Sequence, residues 1–138
     1  MRITVFKDEQ TTIEYDPQRS KWYAVEDQKK IEYDLGKEEN LSSILKILYI
    51  DPNIFLEKLK KVQNESSLSE EFIDSFPIAA LILFCIKNDL IFWLEQALKW
   101  LKHIRVSNEL FVELVAVINN RKYPQKLRHQ LKKQITQV

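Results

Sequence analysis

Along residues 1–36, β-branched and aromatic residues alternate with polar ones in short runs. This is the period of two that places successive side chains on opposite faces of a strand. The alternation predicts four strands, at 2–6, 11–16, 21–26 and 30–35. Ile3 and Val5, Ile13 and Tyr15, Tyr23 and Val25, and Ile31, Tyr33 and Leu35 form the expected buried face. Thr12, Glu14, Trp22, Ala24, Glu32 and Asp34 then face away, giving an acidic sheet face with an exposed tryptophan. Links of about four residues, one carrying Asp16-Pro17, suit antiparallel hairpins, because a parallel crossover needs a dozen residues or more. An antiparallel β-meander over 1–36 is expected.

After Gly36 the hydrophobic period lengthens to about 3.6, the repeat of a helix. Leu41, Ile44, Leu45 and Leu48 make one stripe. Asp51-Pro52 offers an N-cap and a first helical residue for the next helix, whose apolar side carries Phe55, Leu56, Leu59 and Val62. Ser67 and Glu70 have the spacing of a capping box, and Pro77 interrupts or kinks the helix they open before the apolar run to Ile86, giving two short helices or one bent one. Asn88-Asp89 is the expected start of another helix, with Leu90, Leu94, Ala97, Leu98, Leu101 and Ile104 inward. Trp93 and Trp100 lie on the edge of that arc, and Glu95 and Lys99 pair on its wet side. Val106-Ser107 supplies a staple and a cap for a helix over 110–118 that Asn119-Asn120 closes. Tyr123-Pro124 opens a last helix striped by Leu127, Leu131 and Ile135.

Six or seven helices over 40–138 follow. The restart points Asp51, Asn88 and Pro124 lie 37 and 36 residues apart, a spacing that suits an irregular bundle or a short HEAT-like stack of helical hairpins. The fold expected is α+β: an N-terminal antiparallel meander followed by helices, in one domain spanning 1–138.

Composition narrows the function. The chain has 138 residues, 45% hydrophobic and 30% charged, which supports a globular core and excludes a wholly disordered protein. A single glycine, Gly36, excludes the glycine-rich loops of dinucleotide, Walker-type and nucleophile-elbow enzymes. Cys85 is alone, so no intrachain disulfide can form, and its neighbours Leu83, Phe84 and Ile86 predict a buried, inert thiol. A reducing, cytoplasmic setting is expected, with neither a signal peptide nor a membrane span. His103 and His129 have no His, Cys or Asp at metal-ligand spacing, so no metal, cofactor or catalytic constellation is expected. Glu70, Glu71 and Asp74 favour the positive end of a helix dipole.

Charge is segregated. Residues 1–98 hold 12 Lys/Arg and 18 Asp/Glu, whereas residues 99–138 hold 9 and 2. On the last helix, Lys126, Arg128, His129, Lys132 and Lys133 fan out around a narrow apolar stripe as a basic exposed surface. Phe92 falls among Gln96, Lys99 and His103 on the polar face of its helix, where it is either covered by another helix of the chain or free to anchor an interface. The expected function is a non-enzymatic protein–protein interaction module: an adaptor, an assembly factor or a neutralising partner of the immunity type. Its contacts with an acidic patch on another protein are expected at Phe92, Gln96, Lys99, His103, Arg128, Lys132 and Lys133. The alternative is nucleic-acid or phosphoryl-ligand binding through the basic C-terminal helices. The near-neutral net charge of +1 and the absence of aromatics from the last helix favour a protein partner.

Overall fold

A computed structural model describes residues 1–136. Its N-terminal part is the expected meander: β1 (Ile3–Lys7), β2 (Thr11–Asp16), β3 (Lys21–Glu26) and β4 (Ile31–Asp34), antiparallel throughout and adjacent in sequence order. The turns follow from local chemistry. Asp8 Oδ1 accepts from the N–H groups of Gln10 at 2.8 Å and Thr11 at 2.7 Å, and Asp16 Oδ1 accepts from Gln18 N–H at 3.0 Å. Ser20 and Lys30, each just before a returning strand, take the left-handed conformation with φ of 53° and 52°.

Loop length corrects the expected faces. Residues 17–20 form a loop of four, so Asp16 sits opposite Lys21 and Tyr15 opposite Trp22. An even loop joins odd positions of one strand to even positions of the next, and side chains directly opposite share a face. Ile13 and Tyr15 therefore share a face with Ala24 and Trp22, not with Val25 and Tyr23 as the alternation alone suggested. Trp22, expected to be exposed, is 4% exposed, and Ala24 is buried. A register shift between Thr4 and Phe6 in β1 inserts Val5 as a bulge residue and carries Phe6 onto this same face, opposite Ile13.

Aromatic packing covers that face. Trp22 lies 4.8 Å from Tyr15, 5.1 Å from Phe72 and 4.9 Å from Phe76 between ring centroids, and Phe6 lies 5.5 Å from Phe55. These partners come from α1 (Pro52–Glu65), from α2 (Glu71–Ser75) and from Phe76 just beyond it. The opposite face does carry Thr12, Glu14, Glu32 and Asp34 as expected, together with Tyr23 and Val25. There the Arg2 guanidinium lies 3.7 Å above the Tyr23 ring and pairs with Glu14 and Glu32, which buries Tyr23 under a cation. Thr12 is buried too, its hydroxyl donating to Asp27 at 3.0 Å.

By compactness the chain divides into two units, Met1–Lys46 with Asn53–Pro77 and Ile47–Pro52 with Ile78–Val138. α2 and nearly all of α1 thus belong with the sheet. The segment Glu38–Tyr49 is a 3-10 helix kinked at Ile44, not the expected α-helix, because Leu41, Ile44 and Ile47 are buried at intervals of three.

In the second unit, α3 (Ile78–Lys87), α4 (Ile91–Ala97), α5 (Asn108–Ile118) and α6 (Gln125–Ile135) form a bundle. α3 packs on α4 and α5, and α6 packs on α5 and on a 3-10 helix, Leu98–His103, that continues α4. The expected continuous helix to Ile104 therefore changes winding after Ala97. Trp100, placed at the edge by the sequence, is fully buried, with Nε1–H donating to the Leu48 carbonyl at 3.1 Å. The intervals between the restart points contain different sets of elements, so a bundle describes them better than a repeated hairpin. No described helix is long and apolar enough to cross a membrane.

Two expected helix starts are helix ends. Ser67 has φ of 52°, and the N–H groups of Ser67 and Leu68 donate to the carbonyls of Asn64 and Gln63. Asp89 has φ of 53°, with Asp89 and Leu90 donating to Ile86 and Cys85. Both are left-handed C-terminal closures of α1 and α3. Ser, Asn and Asp suit an N-cap and a left-handed position alike, so residue type could not decide between them. Ser107 is an N-cap as expected, its Oγ accepting from Leu110 N–H at 3.2 Å.

Candidate interaction surface of the helical unit

The second unit carries ten Lys/Arg against five Asp/Glu, and the sheet-bearing unit eleven against fifteen, so the segregated charge of the sequence follows the two compact units. On α4, Leu94 and Ala97 point into the bundle. A step of about 100° per residue then turns Phe92 outward. Phe92 is 53% exposed, so no described helix buries it. Its ring meets Trp93 edge-on at 5.1 Å and lies 6.3 Å from Tyr49.

Tyr49 is 61% exposed and was not anticipated as part of this surface. It lies 43 positions before Phe92, at the end of the kinked 3-10 helix, just after buried Ile47 and Leu48. Lys99 fixes it in place, donating from Nζ to the Tyr49 carbonyl at 2.9 Å with the ammonium 5.6 Å from the ring centroid. This contact replaces the expected pairing of Lys99 with Glu95 and leaves Lys99 half-buried. Gln96 is half-buried on the same short helix, and His103 is half-buried at the end of the 3-10 segment.

The basic residues of α6 divide into two kinds. Lys126, His129, Lys132 and Lys133 are exposed, as expected of a solvated cationic face. Arg128 is not part of that face. It is half-buried, with Nε donating to the Tyr123 carbonyl at 3.1 Å and Nη1 to the Ile118 carbonyl at 3.4 Å, so it closes the turn between α5 and α6. α6 packs on the Leu98–His103 segment, which carries Lys99 and His103.

Asp89 makes a second structural use of charge. Its carboxylate accepts from Lys122 Nζ at 2.6 Å and from the Tyr123 hydroxyl at 2.9 Å. These hydrogen bonds hold the Asp89 carboxyl below the usual aspartate range. Burial, followed by the bond to Asp89, pushes the Tyr123 phenol up to about 12. Cys85 is fully buried, and desolvation pushes its thiol up to about 12, so it stays protonated at neutral pH.

Among the described residues, no group of three or more His, Cys, Asp or Glu is placed to hold a metal ion. The helical unit presents two exposed aromatic rings, a hydrogen-bonded ammonium and exposed lysines. No protein family, curated protein or solved structure matches the chain.

Proposed function

We propose that this chain is a non-enzymatic protein–protein interaction module, of the adaptor, assembly-factor or immunity type. It takes an acidic partner on the Tyr49–Phe92 surface of its helical unit, requires no cofactor and works in the cytoplasm. The observation that carries this reading is the exposed pairing of Tyr49 and Phe92 beside Lys99, on a unit with twice as many cationic as anionic residues. Large apolar rings lose free energy in water and gain it when buried against a partner, while the surrounding cations orient and accelerate encounter with an acidic surface. Lys99 holds Tyr49 before any partner arrives, which lowers the ordering cost of association.

Capture from the native host on the wild-type chain and on Phe92→Ala and Tyr49→Ala variants tests this. A partner retained by wild type and lost from both variants supports the reading; a partner retained equally by all three refutes it. One observation favours a second reading: Lys126, Lys132 and Lys133 are exposed on α6, and no acidic residue follows Glu113. If nucleic acid is the partner, affinity falls steeply with salt and neutralising Lys132 and Lys133 flattens that slope, whereas the aromatic variants bind unchanged.

A further inference from the structure

A cleft of about 450 Å³ opens in the sheet-bearing unit beside the start of β3 and the end of β4, well away in sequence from Phe92. Its volume lies within the roughly 300–1,000 Å³ of small-molecule sites. The inner wall is apolar, formed by buried Trp22 and Leu35 with half-buried Pro77. The rim carries Ser20, Lys21, Asp34, Gly36, Lys37 and Ser75. The Asp34 carboxylate is engaged within the chain: Oδ1 accepts from Gly36 N–H at 2.9 Å, and Oδ2 faces Lys21 Nζ at 3.5 Å. The Gly36 bond, with the nearby Lys21 and Lys37 charges, keeps the Asp34 carboxyl below the usual aspartate range.

Asp34 therefore ties down the turn that carries Lys37. Lys21 has three ammonium donors and, among the described residues, only this long contact, and Lys37 brings a second positive charge to the rim. Ser75 accepts from Trp22 Nε1–H at 2.9 Å and donates to the Phe72 carbonyl at 2.6 Å, so its hydroxyl is committed to holding the wall. Two cations against one carboxylate leave a net positive charge at this rim, in a unit that is acidic as a whole.

We propose that this cleft binds a small organic anion, a carboxylate or a phosphate monoester, whose apolar body rests on Trp22, Leu35 and Pro77 while its charged end meets Lys21 and Lys37. This site is independent of the surface around Phe92, and either could fail without the other.

The test is a titration of the full chain with benzoate, phenyl phosphate, inorganic phosphate and neutral benzamide, followed through the indole N–H signal of Trp22 and the amide signal of Gly36. Benzoate or phenyl phosphate is expected to move both signals in the millimolar range, and comparing the two identifies the preferred head group. Inorganic phosphate, which lacks the apolar body, and benzamide, which lacks the charge, should each bind at least about five-fold more weakly. Lys21→Gln and Lys37→Gln, both at exposed positions, should each weaken the anion about two- to five-fold without altering the fold. The proposal is overturned if neither organic anion moves the two signals at about 10 mM. It is also overturned if benzamide matches benzoate or if both lysine variants bind as wild type does.

Discussion

Replacing Trp22 with alanine removes a side chain that is 4% exposed and packed among Tyr15, Phe72 and Phe76. A buried tryptophan withdraws up to about 250 Å² from water, which at about 25 cal/mol per Å² sets an upper limit near 6 kcal/mol. The unfolded chain already shields part of that area, and Trp→Ala substitutions in cores cost about 3–5 kcal/mol, so a loss in that range is expected. Trp22→Phe keeps a ring against its neighbours but loses the 2.9 Å bond to Ser75 Oγ, and about 1–2 kcal/mol is expected. Urea unfolding followed by far-ultraviolet circular dichroism, with the m-value held constant, measures both. A Trp22→Ala loss within about 0.5 kcal/mol, typical of an exposed position, would refute the register and return Trp22 to the outer face of the sheet.

Four further outcomes are expected. Asp89 titrates below its ordinary range when folded, so its contribution is present above the unfolded pKa and disappears as pH falls through the lowered one; Asp89→Asn should flatten the acid limb of the stability–pH curve. Tyr123 is shifted the other way, to about 12, so its contribution holds below the ordinary tyrosine value of about 10 and is lost as pH rises toward 12, and Tyr123→Phe should flatten the alkaline limb. Cys85 should resist an aromatic disulfide reagent in the native chain and react at once in urea; rapid native labelling would contradict its burial. Arg128→Met should cost about 1–3 kcal/mol by leaving the Tyr123 and Ile118 carbonyls without their donor, while Lys132→Met should change stability by less than about 0.5 kcal/mol, both read by thermal unfolding.

The meander and the later helices were legible because the period of two up to residue 35 and the near-3.6 period beyond Gly36 are each imposed by burial along one element. The pairing of faces was not, since alternation fixes which residues of one strand go together but says nothing about which set of the next strand joins them. That depended on the even loop 17–20 and on the bulge at Val5, neither of which changes the pattern within a strand. Ser67 and Asp89 were misplaced for a related reason: a short polar side chain stabilises a helix start and tolerates a left-handed stop. Phe92 could be found from its odd position among Gln96, Lys99 and His103. Tyr49 could not, because the hydrogen bond from Lys99 that ties it to this surface comes from 50 residues later. Arg128 shows the converse limit: on a helical wheel it joins the basic fan, yet two backbone carbonyls claim it.

The central claim is that Tyr49 and Phe92, not the α6 lysines, anchor the partner. Its most direct test is isothermal titration of the recovered partner into wild type, Phe92→Ala and Lys132→Gln/Lys133→Gln at low and moderate salt. The expected result is a loss of at least about 2 kcal/mol, roughly thirty-fold in Kd, for Phe92→Ala at both salt concentrations, with a much smaller and salt-dependent loss for the lysine pair. Unchanged affinity for Phe92→Ala, with binding abolished by neutralising the two lysines, would contradict it.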